Sequence, residues 1–136
     1  MATGWESYIT GPSGLMNRGP IESAGIFGTN GSTWSQSGIN PTYEELLALA
    51  NLYANPAIGY SEGFTLGGKK YALIRIDDDE IIHGRGKTAA GNTPNPITIM
   101  KTTQALVVAI GKEDANGGQV SMAVTAIGDY LQKAGY

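Results

Sequence analysis

The residues of this 136-residue chain best suited to proton or metal chemistry are few: one histidine, His83, and the acidic run Asp77-Asp78-Asp79-Glu80. A lone histidine cannot build a multi-histidine metal site, and no nucleophile with an orienting partner lies at recognisable spacing around it. The acidic run could hold a hard cation, but a calcium loop needs glycine where Ile82 stands and a distal glutamate. It reads instead as a solvated hairpin tip. Gly86-Lys87-Thr88 ends like a phosphate-binding loop, yet Ile81 occupies the position of the required first glycine. Gly84-x-Gly86-x-x-Ala89 imitates a dinucleotide fingerprint, but Ala90-Gly91-Asn92-Thr93-Pro94-Asn95-Pro96 follows where a helix is needed. Asn30-Gly31-Ser32 fits a glycosylation sequon and reads as a turn. With no cysteine, thiol catalysis, disulfides and cysteine-ligated metals are excluded. No catalytic residue, metal site or cofactor is expected.

A different set of residues stands out by type. Five of the eleven aromatic side chains fall at three places: Trp5 and Tyr8 at the start, Trp34 early on, Tyr130 and Tyr136 at the end. A single tryptophan is ordinarily core. As a set these fit a core poorly. Tyr130 lies roughly 80° from the centre of its helix's apolar stripe, and Tyr136 is the last residue. Rings gathered around Trp34 would form an aromatic groove. Such grooves take polyproline II segments, which are already extended and carry carbonyls free to accept from indole and phenol donors.

The elements that must position these rings follow from periodicity and punctuation. The length suits one domain spanning residues 1–136, and 41% hydrophobic with 15% charged residues argues for a folded globule. The net charge of −3 disfavours nucleic acid as a partner. The longest apolar run, Ala105 to Ile110, is too short to span a bilayer, and the start lacks signal-peptide character, so a cytoplasmic location and a monomer are expected. Gly4 to Ile9 reads as a helical turn or two, broken at Gly11-Pro12-Ser13-Gly14. Ile21 to Gly28 and Ser32 to Ser37 read as strands joined by an Asn30-Gly31 hairpin. Pro41 to Tyr53 reads as a helix capped by Asn40 or Thr42, with Leu46, Leu49, Ala50 and Tyr53 as its stripe, stopped by Asn55-Pro56. Lys69 to Ile76, Glu80 to Lys87, Ile97 to Thr102 and Ala105 to Ile110 read as strands, the last buried on both faces. Gly117 to Lys133 is an amphipathic helix with Val120, Val124, Ile127, Leu131 and Ala134 inward and Gly135 as its stop. The class is α+β with a largely antiparallel sheet.

Five blocks carry a resemblance. Trp5-Glu6-Ser7-Tyr8-Ile9, Ala24-Gly25-Ile26-Phe27-Gly28 with Gly31-Ser32-Thr33-Trp34, and Leu66-Gly67-Gly68-Lys69-Lys70-Tyr71 come first. Ile97-Thr98-Ile99-Met100-Lys101-Thr102 with Gln104-Ala105-Leu106-Val107-Val108, and Gly128-Asp129-Tyr130-Leu131 ending at Tyr136, follow in order. Together they resemble the profilin family, end to end. The resemblance implies a central sheet with both terminal helices on one face and a smaller helix on the other. It implies a non-enzymatic, cytoskeletal regulator that binds monomeric actin, promotes exchange of its nucleotide, and binds proline-rich proteins such as filament elongation factors. Polyproline contacts map to Trp5, Tyr8, Trp34, Tyr130, Leu131 and Tyr136. Actin contacts map to Lys70, Arg75, Arg85, Lys87, Asn116, Gly117 and Gly118, on a face separate from the aromatic groove. Arg85 and Lys87 are two apart, so both point to one face of a strand. Some profilins also bind phosphoinositide headgroups with the same basic residues, and the acidic balance here weakens that expectation.

The chain departs from the family pattern in four places. Gly11 to Gly14 reads as an insertion able to shift Trp5 and Tyr8. Pro94 and Pro96 replace polar residues that often contact actin. Met122, Thr125 and Ala126 leave the last helix without charged contacts found in some relatives. The Asp77 to Glu80 turn places negative charge near a surface meant for acidic actin. Two alternatives follow: a polyproline adaptor with lost or narrowed actin binding, and a small-molecule-sensing domain on a similar fold.

Overall fold

The computed structural model describes residues 5–12, 14–78, 80–86, 95–112 and 115–136. The elements run α1 (Ser7–Thr10), a 3₁₀ turn (Leu15–Asn17), β1 (Ile21–Gly28), β2 (Thr33–Ser37), α2 (Tyr43–Leu52) and α3 (Pro56–Glu62). Then come β3 (Phe64–Leu66), β4 (Lys69–Asp77), β5 (Ile81–Gly86), β6 (Pro96–Lys101), β7 (Ala105–Gly111) and α4 (Gly117–Lys133). All seven strands form one antiparallel sheet in the order β2-β1-β7-β6-β5-β4-β3. No helix among the described residues is long and apolar enough to cross a membrane.

Alternation along the strands sends side chains to two cores. On one face Phe27, Leu73, Ile82, Ile99 and Val108 pack with Leu46, Leu49 and Leu52 of α2. On the other, Ala24, Ile26, Val107 and Ala109 pack with Ile9, Leu15 and the α4 residues Val120, Val124, Ile127 and Leu131. Every residue of β7 is buried, as its unbroken apolar run requires. Its central place in the sheet, with helices on both sides, gives no room for a polar face.

α2 begins with a full capping box. Thr42 Oγ1 accepts from Glu45 N–H at 3.1 Å while Glu45 Oε1 accepts from Thr42 N–H at 2.9 Å. The same carboxylate also accepts from the N–H groups of Gly67 (2.8 Å) and Gly68 (3.1 Å), so one side chain ties α2 to the β3–β4 turn. Burial pushes the Glu45 carboxyl up, but the three backbone donors outweigh it and hold it below its usual value. Tyr53, at the end of α2, buries its phenol and donates to Ile99 O at 2.9 Å; that burial raises its pKa.

The helix expected to start at Pro41 starts at Tyr43, because Thr42 is the residue with its side chain bonded to the orphan donors. Pro56 stops α2 and also opens α3, which the sequence reading missed. Proline suits a first helical position because its missing N–H would be unpaired there. The face opposite the terminal helices therefore carries two small helices. Ala134, expected inward, is exposed: it is the C-cap of α4, past the last turn that meets the sheet.

Candidate functional site: an aromatic cluster and a basic groove

Trp5 and Tyr8 flank the start of α1, where Tyr8 N–H donates to Trp5 O at 3.0 Å and the two rings lie 5.5 Å apart. So short a helix does not hold itself. Buried Ile9 pins it to the sheet, and Asn17 Nδ2 donates to the carbonyls of Gly11 (2.8 Å) and Thr10 (3.4 Å). A Cβ on Gly14 would come within 2.8 Å of the Ile9 and Ser7 backbones, so glycine lets the chain fold back tightly on α1. The turn leaves both rings inside the cluster.

Trp34 owes its direction to a bulge. Ile26 pairs with Ser35 and Phe27 with Thr33, which makes Trp34 the extra residue of β2 and turns its indole toward the terminal-helix face. Indole Nε1 donates to Ser32 Oγ at 3.2 Å, and Ser32 Oγ in turn donates to Asn30 Oδ1 at 2.7 Å. Trp34 sits 4.7 Å from Trp5 and 6.0 Å from Tyr136, centroid to centroid.

Tyr136 is placed by the end of α4. Gly135 takes φ +96°, Tyr136 N–H returns to Leu131 O at 2.8 Å and Gly135 N–H to Gln132 O at 3.1 Å, a Schellman closure. Thr102 Oγ1 donates to Tyr136 O at 2.8 Å, and Gln104 N–H donates to the same oxygen. The β6–β7 turn thereby clamps the residue, with its ring edge-on to Trp5 at 4.9 Å. Tyr130 stands 5.6 Å from Tyr8, and their hydroxyls are hydrogen-bonded, which raises the Tyr8 pKa. Tyr130 and Tyr136 remain 54% and 41% exposed, so the cluster is a surface and not a core. It offers flat ring faces for stacking and indole and phenol groups for carbonyls. Leu131 is 1% exposed: it belongs to the packing beneath the rings and is not on their surface.

A second feature lies at the other end of α4, about 20 Å along the helix at 1.5 Å per residue. A groove of about 460 Å³ is lined by Arg75, Arg85, His83, Pro96 and Ser121, with Asn116, Gly117 and Gly118 opening α4. Asn116 Oδ1 accepts from Gly118 N–H at 2.7 Å. Lys70 and Arg75, the two predicted actin residues on β4, are five positions apart, and strict alternation would put them on opposite faces. A bulge intervenes: Leu73 pairs with Gly84 but Arg75 with His83, so Ile74 and Arg75 share the His83 face. Asp77 accepts from Arg75 Nε at 3.2 Å and lies 2.8 Å from His83 Nε2. The Arg75 hydrogen bond, followed by that of His83, lowers the Asp77 pKa.

The sequence model of the Profilin family matches residues 3–136. The chain belongs to the profilin family. Rat profilin 2a is similar at 25% identity, with 100% of this chain and 99% of that chain covered and a TM-score of 0.87. Acanthamoeba castellanii profilin IB shares 28% identity over 98% of this chain and 100% of its own, with a TM-score of 0.83. Mouse profilin IIa, solved in complex with a double repeat from the FH1 domain of mDia1, shares 26% over 98% and 99%, also at 0.83.

In this profilin the five predicted rings converge. Of the predicted actin residues, Arg75, Arg85, Asn116, Gly117 and Gly118 share one groove. Lys70 lies outside it, exposed and paired with Thr65 of edge strand β3. Lys87, Pro94 and Asp79 lie outside the described residues. The groove and the rings share no residue and occupy one side of the sheet, at opposite ends of α4. That follows from α4 covering β6 and β7 while leaving β4 and β5 bare on the same side. The acidic turn is not purely a solvated tip either, since Asp77 is engaged by Arg75 and His83. Sequence reasoning missed Asn30, Ser32, Thr102 and Gln104, which only position the rings. Asn-x-Ser as an Asx turn was the one signal available.

Proposed function

We propose that this profilin binds proline-rich segments through Trp5, Tyr8, Trp34, Tyr130 and Tyr136, and monomeric actin through the basic groove, so regulating actin assembly. The observation that carries the reading is the convergence of five rings from three distant segments into one half-exposed surface. Their faces stack on proline rings, and their polar edges reach carbonyls that a polyproline II segment leaves unpaired. Mouse profilin IIa in its complex with the mDia1 FH1 repeat supports the same use of the fold. Arg75 and Arg85 beside the opening of α4 form an electropositive hollow suited to an acidic protein surface. Asp77, bonded to Arg75 and His83, offsets part of that charge and does not project as an independent repulsive group. Phosphoinositide headgroups would compete for the same arginines. Delivery of actin to elongation factors in the cytoplasm follows if both surfaces work at once.

The test is assembly of monomeric actin followed by fluorescence, with and without a stoichiometric excess of this protein. Slowed spontaneous assembly is expected. No effect on actin from the same organism would overturn the actin half and leave a polyproline adaptor.

A further inference from the structure

The basic groove carries its own counter-ion. Arg75 and His83 pair across β4 and β5, and both line the groove. Asp77, two residues beyond Arg75, reaches both of them. Its two carboxylate oxygens each accept from Arg75 Nε at 3.2 Å, and one of them lies 2.8 Å from His83 Nε2. The His83 side chain is 15% exposed, while those of Arg75 and Asp77 are 61% and 42% exposed. The carboxylate is thus anchored to the wall of the groove through His83 and stays open to solvent beside Arg75. Arg85, two residues along from His83 on the same face of β5, meets no carboxylate among the described residues. The two arginines are therefore not equivalent: Arg85 offers its charge outright, and Arg75 offers a charge already matched.

We propose that Asp77 is an intramolecular competitor for Arg75, a built-in restraint on the affinity of the groove for an acidic protein surface. An arriving carboxylate has to share the Arg75 guanidinium with Asp77 or displace it, and it meets the like charge of Asp77 at close range. The internal pair is exposed and so worth little, which makes it a means of tuning affinity and not a block. Were Asp77 there to aim Arg75 at a partner, removing it would weaken binding, so the sign of the effect separates the two roles. Asp78 supplies the control. It is exposed, stands at φ +53°, where asparagine is tolerated, and makes no described contact with Arg75. Its neutralisation changes the net charge equally without freeing Arg75. The inference rests on the actin reading of the groove.

The test is titration of monomeric actin at low ionic strength with the full chain and its variants. Asp77→Asn should bind about threefold tighter than the unaltered protein, the size of an exposed ion pair, and Asp78→Asn less than about 1.5-fold tighter. In an Arg75→Gln background the gain from Asp77→Asn should shrink to that of Asp78→Asn. Proline-decamer affinity and circular dichroism should be unaltered throughout. If the unaltered protein binds actin, equal gains from the two variants, weaker or unchanged binding by Asp77→Asn, or a gain that persists with Arg75→Gln would overturn the restraint alone. Actin bound by neither the unaltered protein nor Asp77→Asn would overturn the actin reading itself, and the restraint with it.

Discussion

Replacing Trp34 with alanine removes the one ring of the cluster that the sheet contributes. Its indole meets Trp5 at 4.7 Å and Tyr136 at 6.0 Å, while the Trp5–Tyr8, Trp5–Tyr136 and Tyr8–Tyr130 contacts do not depend on it. Two aromatic pairs at roughly 0.5–1.5 kcal/mol each set the stability loss at about 1–2 kcal/mol, since the side chain is only half-buried. The fold survives that, with its two cores untouched. Binding should suffer more. A central aromatic anchor is worth about 2 kcal/mol or more, which is roughly a 30-fold rise in Kd for a proline decamer. Calorimetric titration gives the Kd, Trp5 fluorescence reports the same event, and circular dichroism with thermal melting checks the fold. Trp34→Phe keeps a ring face but loses the Nε1–H that donates to Ser32, so an intermediate loss of about fivefold is expected. A change below about threefold for Trp34→Ala, in a folded protein, would refute the view that the cluster is the binding surface.

Gly135→Ala places a side chain at φ +96° with open space around it, so the cost is backbone strain of about 1 kcal/mol. Tyr136 should lose its placement and decamer affinity should fall about fivefold by titration, with the melting temperature lowered by only about 3–5 °C. Glu45→Ala removes half a capping box and the acceptor for Gly67 and Gly68, and should cost about 2 kcal/mol in urea unfolding without affecting the aromatic surface. Because the folded-state pKa of Glu45 is lowered, its stabilisation is present above the unfolded carboxyl value and is lost as pH falls through the folded one. Glu45→Gln should accordingly flatten the acid limb of the stability profile. Arg85→Glu reverses charge in the basic groove and should weaken actin binding at least tenfold in a co-sedimentation or assembly assay, with decamer affinity unchanged. Equal loss of both would count against two independent surfaces.

The local elements were largely legible because local physics sets them. Ile21 to Gly28 leads into an Asn-Gly turn, Gly117 to Lys133 has one apolar stripe and a glycine stop, and both match the observed boundaries. α3 and β3 escaped notice because each is short and draws its stability from packing, Gly59 against Leu73 and Leu52, and Phe64 against Tyr71.

The aromatic residues themselves, their number and their unsuitability for a core were properties of the sequence: residue type and helical angle are enough to mark Tyr130 as off the buried stripe. Their meeting was not. Trp34 faces Trp5 because a bulge breaks the alternation of β2, and Tyr136 reaches both because Thr102 and Gln104 hold its carbonyl. Likewise the odd spacing of Lys70 and Arg75 argued against a shared face until the bulge in β4 reversed the parity. Periodicity determines which way a side chain points only while the ladder stays regular. Where one residue is added to a strand, or a distant turn clamps a chain end, the direction is decided by long-range pairing, and that is present only in the folded molecule.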